Sequence, residues 1–293
     1  MAEIGSTCAP LELQTIASLD LAAASGIALR AGQLYVVADD ELELAVYTRA
    51  GLRTASIPLR AGALPLDPLQ RKASKPDFEA LLTLPDDSLL ALGSGSSPRR
   101  MRGAWVRFDQ THPTVHDVDL TDLYAALTRE HSELNIEGGA VLDDTLYLCS
   151  RGNGALRDNA LIALCLARVC ETLARSHALD AASLLRTHRV SLGELAGTPL
   201  SLTDLAVGAD RLLFSAAAEA SPNTYDDGVC TGSVLGTIST AGEVRDALRV
   251  AQRLKVEGVC ADHSQRALRL FLVADADDPQ ARAPLMAADW PGS

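Results

Sequence analysis

The stretch Asn135-Ile-Glu-Gly-Gly-Ala140 places a glutamate at the head of an apolar run. The arrangement returns in Pro76-Asp-Phe-Glu-Ala-Leu81 and in Lys255-Val-Glu-Gly-Val-Cys260. Aligned on these glutamates, two further segments join the set: SGIAL from Ser25 and TDLAV from Thr203. Each of the five is followed by a polar turn (RAGQ, PDDS, LDD, GADR or DHSQRA) and then by a second apolar run, starting at Leu34, Leu89, Leu146, Leu212 and Leu270. Short apolar runs joined by Asp/Gly turns read as β-hairpins.

The anchors fall at residues 25, 79, 137, 203 and 257, spaced 54, 58, 66 and 54 residues apart. A repeat of this length holding four short strands is a propeller blade. Third and fourth strands follow at residues 44–50 and 53–59, 103–109 and 114–120, 160–166 and 186–192, and 232–239 and 243–251. The fifth unit has chain for one more strand only, at residues 285–290, while LELQTIASLDL from Leu11 belongs to no hairpin of its own. The expected fold is therefore all-β: a single five-bladed β-propeller domain over residues 1–293, closed by the N-terminal strand completing the last blade. Two segments read as helices: residues 121–131, with Thr121 as N-cap, and residues 171–187, an insertion that explains the 66-residue spacing. The Pro-rich residues 59–76 read as a loop.

The composition restricts the partners. A net charge of −12 disfavours a nucleic-acid backbone or an anionic membrane surface. No window approaches the ~18–20 apolar residues of a membrane helix, and the N-terminal residues do not read as a secretory signal. The six cysteines contain no CxxC pair and sit mostly in apolar segments, as expected of reduced thiols in a cytoplasmic protein. A monomer is expected by analogy with propellers in general.

In a propeller the first strand of each blade lines the central channel. The anchors Ser25, Glu79, Glu137, Thr203 and Glu257 then form a ring of three carboxylates and two hydroxyls. Carboxylates this close repel, so shared protons or a bound cation must compensate them. Oxygen donors with three negative charges suit a hard cation, Ca2+ first, with Mg2+ or Mn2+ as alternatives. The loops after the second strands surround the mouth above this ring. They supply Asp39, Glu219 and Asp275 as candidate general bases, and Arg99, Arg100, Arg151, Asn153 and Tyr225 as candidate ligands for a small anion. GSGSS is not a P-loop, because no Lys-Ser/Thr follows it, and DADDP lacks the glycine and terminal glutamate of an EF-hand.

At these residues the chain resembles the five-bladed calcium-activated nucleotidases (apyrases), which hold calcium with one side chain per blade in the order Ser, Glu, Glu, Ser, Glu. Here the order is Ser25, Glu79, Glu137, Thr203, Glu257, while Ile27 stands where that family has an acidic residue. The tryptophan-rich substrate segments of that family are not matched, since the only tryptophans are Trp105 and Trp290. The segments RKASKPDFEAL, LGSGSSPRR, SRGN, NTYDDG and VADADDP also resemble a bacterial propeller family related to phytase-like esterases. The resemblance implies calcium in the channel. Three functions follow as alternatives: a calcium-dependent hydrolase of a phosphate ester or phosphoanhydride, a binding propeller with a structural cation, and a lactone or carboxylic-ester hydrolase.

Overall fold

The computed structural model describes residues 9–109, 111–152, 156–208, 210–220, 229–264, 267–275 and 281–291. Apolar stretches alternating with Gly/Asp turns form antiparallel sheets arranged as the blades of a propeller. The first strand, β1 (Gln14–Ser18), belongs to the last blade. Blade one is β2 (Ala24–Arg30), β3 (Gln33–Ala38), β4 (Glu43–Thr48) and β5 (Arg53–Pro58). A short helix, α1 (Pro68–Ser74), leads into blade two: β6 (Phe78–Thr83), β7 (Leu89–Gly93), β8 (Arg102–Arg107) and β9 (Thr114–Asp119). After α2 (Thr121–Leu127), blade three is β10 (Ile136–Leu142), β11 (Thr145–Ser150), β12 (Ala160–Cys165), the inserted helix α3 (Leu166–Ser176) and β13 (Leu184–Arg189). Blade four adds a two-residue strand, β14 (Glu194–Leu195), to β15 (Thr198–Gly208), β16 (Arg211–Ala220), β17 (Val229–Ile238) and β18 (Val244–Arg249). Blade five is β19 (Lys255–Asp262), β20 (Arg269–Asp275) and β21 (Pro284–Asp289), completed by β1, which pairs antiparallel with β21.

The buried apolar residues divide into one cluster per blade interface. Tyr35 and Leu44 of blade one meet Phe78 and Leu89 of blade two. Leu90 and Leu92 meet Ile136 and Leu148. Tyr147 and Leu161 meet Leu202 and Phe214. Leu213 and Leu235 meet Val256 and Leu272. Phe271 and Leu285 return to Ile27 and Val36. Each sheet is thus apolar on both faces, as a blade sandwiched between two others must be.

The helices depart from the sequence reading. Residues 59–76 contain α1, whose N-terminus is capped by Asp67 accepting the Gln70 N–H at 2.9 Å. Thr121 is the first residue of α2 rather than its cap; its N–H goes to Asp119 Oδ1 at 2.9 Å. The insertion in blade three starts at Leu166, five residues before the expected start, and ends at Ser176. Leu166, Val169 and Leu173 fall on one helical face and complete the core between blades two and three. In sequence they merge with the apolar run of β12, which concealed the boundary. Residues 184–187 belong to β13.

One irregularity is repeated in every blade. The pairing of first and second strands slips between Ala24 and Gly26, Phe78 and Ala80, Ile136 and Gly138, Leu202 and Asp204, and Val256 and Gly258. The extra residue of these bulges is Ser25, Glu79, Glu137, Thr203 or Glu257, the anchor of each repeat. A bulge turns one side chain out of the alternation of its strand, and here it does so at the same level five times. Glycine follows the anchor in blades one, three and five because the innermost strands nearly touch: a Cβ on Gly26 would meet Glu79 O at 2.8 Å, and one on Gly258 would meet Ser25 O at 2.7 Å.

Closure of the ring depends on the β1–β21 seam. Leu285 in β21 is fully buried against blade one. Leu285→Ala is expected to lower stability by about 3 kcal/mol in urea unfolding; a loss below about 1 kcal/mol would show that the seam is not a closed part of the core.

Candidate functional site

The bulged residues open into a polar axial cavity of about 80 Å³, room for a few waters or one small anion. Three tiers line it. The bulged residues Ser25, Glu79, Glu137 and Glu257 form one. Two positions earlier in the chain come Ala23, Asp77, Asn135 and Lys255. The ends of the second strands supply Asp39, Arg151 and Asp275, with Lys72, Lys75 and Arg100 closing the side nearest blade two.

The hydroxyl members of the ring act between blades. Ser25 Oγ donates to Phe78 O at 2.6 Å, and Thr203 Oγ1 to Val256 O at 2.8 Å. Each acceptor is the carbonyl just before the bulge of the next blade. Beside Thr203, the buried Asp204 accepts N–H groups from Leu205 at 2.7 Å and Val259 at 2.8 Å, and from Gly139. One carboxyl therefore ties blades three, four and five. Burial raises it well above the ordinary aspartate range, against the pull of these backbone donors.

The carboxylates separate into two groups. Toward blades three to five, Arg151 reaches Glu137 Oε2 at 3.3 Å and Glu257 Oε1 at 3.5 Å, and also pairs with Glu219. Lys255 Nζ lies 3.1 Å from Glu257 Oε1, 3.7 Å from Glu219 and 3.8 Å from Asp275. Asn135 donates to Glu137. Here an internal guanidinium occupies the space between the ring glutamates. Two cations face four carboxylates, which leaves an excess of negative charge and favours protonation. Accordingly Glu137 is pushed up to about 8, by burial and then by Glu257 and Asp77, against Arg151 and Lys255.

Toward blades one and two, carboxylate oxygens of Asp39, Asp77 and Glu79 all lie within 4.8 Å of one another. Lys75 pairs with Asp39 and stands 3.1 Å from Asp77 Oδ1; Arg100 Nη1 stands 2.8 Å from Asp77 Oδ2, which also accepts from Ser94 Oγ at 2.5 Å. Burial raises Glu79 well above the glutamate range, with Asp77, Glu137 and Asp39 adding to it. Burial, with Asp77 and Asp40, raises Asp39 to about 6 despite Lys75.

These donors decide which residues fit a cation. The five-residue ring does not fit as one centre: its hydroxyls bond to backbone carbonyls, Thr203 does not line the cavity, and Arg151 bridges Glu137 and Glu257. Asp39, Asp77 and Glu79 do fit. Oxygens bound to Ca2+ at about 2.3–2.6 Å lie at most about 5 Å apart, and Lys75 and Arg100 together leave one of the three carboxylate charges to be compensated. Across the cavity, Glu257 Oε2 and Arg151 Nε are buried and have no hydrogen-bond partner among the described residues.

Of the residues singled out in the sequence, Ser25, Asp39, Glu79, Arg100, Glu137, Arg151, Glu257 and Asp275 line one cavity. Glu219 reaches it through Arg151. Arg99 lies outside and lines a neighbouring cavity. Asn153 and Tyr225 lie outside the described residues. Asp77, Asn135 and Lys255 were not assigned a role from the sequence, whereas Lys72 and Lys75 were expected on the mouth face and do line the cavity. Their signal was the register: Asp77, Asn135 and Lys255 each stand two positions before an anchor. Cys149 and Cys260 are buried thiols, while Cys165, Cys170 and Cys230 are only partly covered, and none is paired. Among the described residues no helix is long and apolar enough to cross a membrane.

Residues 20–289 match the family of unknown function DUF6929, and the chain belongs to that family. No curated protein matches it. Among solved structures it is similar to the tail fibre of Staphylococcus aureus phage P68, at 12% identity and a TM-score of 0.51, over 96% of this chain and 53% of that one. The chain thus spans about half the length of the tail fibre. It is also similar to regucalcin of Agrobacterium tumefaciens strain C58, described as a calcium-binding protein, at 11% identity and a TM-score of 0.50, over 100% of this chain and 98% of that one. At such identities the likeness is one of fold. Neither match carries the resemblance to the calcium-activated nucleotidases.

Glu137 binds its proton more tightly in the folded chain than its ordinary value of 4.5 allows. Its contribution to stability is full below about pH 4.5 and is lost as the pH rises through about 8. The melting temperature should therefore fall between pH 5 and pH 8, and Glu137→Gln, with no proton to lose, should flatten that slope. Identical slopes would show Glu137 ionised throughout.

Proposed function

We propose that this member of the family is a metal-dependent hydrolase of a phosphate ester or phosphoanhydride, with the axial cavity as its active site. The observation that carries the reading is the convergence of Asp39, Asp77 and Glu79 in one cavity whose adjoining wall presents Lys72 and Arg100. Asp39, Asp77 and Glu79 would hold the cation, Ca2+ by the number and irregularity of the donors, with Mg2+ or Mn2+ as alternatives. A bound cation of this kind lowers the pKa of a coordinated water and offsets charge on a phosphoryl group. Lys72 and Arg100 would receive the phosphoryl oxygens, Arg100 by its planar fork.

Asp39 is then a ligand rather than a base, and Glu219 is tied to Arg151. Glu137, which is also paired with Arg151 but whose proton affinity is raised, would take the proton as the water oxygen bonds to phosphorus. The P–O bond to the leaving group breaks and that oxygen is protonated in turn. A group raised to about 8 is suited to this exchange near neutral pH. The partner is a small anionic molecule rather than a nucleic acid or membrane, in keeping with the net charge of −12. A monomer in the cytoplasm fits the same reading.

A second reading, a non-catalytic ligand-binding propeller, is favoured by one observation. Arg151 already compensates Glu137, Glu219 and Glu257, as a structural cation would.

Melting in EDTA and after addition of Ca2+, Mg2+ or Mn2+ separates the site from its absence. At 100 times its dissociation constant a ligand of the folded state adds about 2.7 kcal/mol, and Glu79→Gln should abolish the gain. Turnover of p-nitrophenyl phosphate or nucleoside triphosphates should require the same cation and be lost in Glu79→Gln. A cation-dependent melt without turnover would favour the binding propeller; no shift with any of the three cations would remove the metal site.

A further inference from the structure

Glu257 and Arg151 line the axial cavity, and each keeps one atom outside the ion pairs that hold it. Glu257 is 6% exposed and Arg151 5%. Both ion pairs of Glu257, with Arg151 Nη1 at 3.5 Å and with Lys255 Nζ at 3.1 Å, use Oε1. Arg151 Nη1 also meets Glu137, and Nη2 meets Glu219. Glu257 Oε2 and Arg151 Nε remain, and neither has a hydrogen-bond partner among the described residues. Buried polar atoms are seldom left so, because each then forfeits its hydration without a return.

The backbone fixes both side chains. Arg151 follows β11 directly, and its N–H donates to Asn135 O at 2.8 Å. The next N–H, of Gly152, donates to Asn159 Oδ1 at 2.9 Å. The same oxygen accepts the Leu202 N–H at 2.9 Å, while Asn159 Nδ2 donates to Leu200 O at 3.0 Å. Asn159 thereby pins the chain after Arg151 to blade four. Glu257 is set by its bulge between Val256 and Gly258. A site arranged in advance loses little order on binding.

The two free atoms select by chemistry. A carboxylate only accepts and a guanidinium only donates. One group that completes both must accept from Nε and donate to Oε2. An ammonium cannot accept. A second anion cannot donate, and it would enter a region where carboxylates already outnumber Arg151 and Lys255. A hydroxyl does both through a single oxygen, which suits a cavity of about 80 Å³. In so short a cavity the hydroxyl stands on the carbon next to the one that carries the phosphoryl ester.

We propose that Glu257 and Arg151 bind a hydroxyl of the substrate, which is then the phosphate monoester of a diol or polyol. The inference deepens the hydrolase reading and rests on it for the place of the phosphoryl group. Calorimetric titration in Ca2+ tests it with ligands that cannot be hydrolysed. The ligand 3-hydroxybutylphosphonate has the shape of propane-1,2-diol 1-phosphate, and butylphosphonate lacks only the hydroxyl. The hydroxylated ligand should bind at least about tenfold tighter, the worth of one hydroxyl bonded to charged groups. In Glu257→Gln, whose neutral acceptor holds a hydroxyl about half as strongly, the margin should fall to about threefold. Equal affinities in the wild type overturn the hydroxyl subsite and leave water as the partner of both atoms. A margin unchanged in Glu257→Gln overturns its assignment to Glu257. Binding of neither ligand overturns the subsite and the phosphoryl site together. Phosphate release from propane-1,2-diol 1-phosphate is followed separately. A tenfold margin without Ca2+-dependent release upholds the subsite and counts against the hydrolase reading; release without a margin does the reverse.

Discussion

Crowding at the propeller axis is the constraint from which the rest of the molecule follows. The first strands approach so closely that glycine follows the anchor in blades one, three and five: a Cβ on Gly138 would meet Asp204 Oδ1 at 2.2 Å. Each strand relieves the crowding with a bulge at one level, and each bulge delivers one side chain to the same place. Where that side chain is a hydroxyl it bonds to the carbonyl of the next blade and helps hold the ring. Where it is a glutamate it brings charge into a cavity of about 80 Å³. Architecture and chemistry are thus set by the same five residues.

Charge compensation then divides the cavity. On the side of blades three to five, Arg151 and Lys255 are held above their ordinary values by the carboxylates around them, although burial alone would lower both. Removing water from such a network costs several kcal/mol per ion, which favourable geometry must offset, and the ring glutamates there are compensated in part from within the chain. On the side of blades one and two, Asp39, Asp77 and Glu79 crowd one another, and burial raises both Asp39 and Glu79. The asymmetry distinguishes this axis from one in which all five blades serve one central ion, and it moves the candidate cation site off the axis.

The repeat was legible because β-hairpins write themselves locally: a short apolar run, an Asp/Gly turn, a second run. The closing strand was legible by accounting, since one unit lacked a strand and the N-terminus had one to spare. The register of the anchors survived because the bulge falls at the same point in every blade. The start of α3 was not legible, since Leu166 continues the apolar run of β12 and only the packing between blades two and three shows its face to be helical. The division of the cavity was not legible either. It depends on whether Arg151 folds inward between Glu137 and Glu257 while Arg99, two positions past Ser97, turns to a different pocket. The sequence presents both as arginines in polar loops. Asp77 and Lys255 were within reach, because both stand two positions before an anchor when the repeats are aligned.

The most direct test is where a cation sits. Crystals grown with Mn2+ or a lanthanide in place of Ca2+, with anomalous diffraction recorded, would locate it without reference to any activity. A peak beside Asp39, Asp77 and Glu79, with Arg151 still bridging Glu137 and Glu257, is the result expected. A peak on the axis among Glu79, Glu137 and Glu257, with Arg151 displaced, would contradict the divided cavity and restore the five-residue ring as the metal centre.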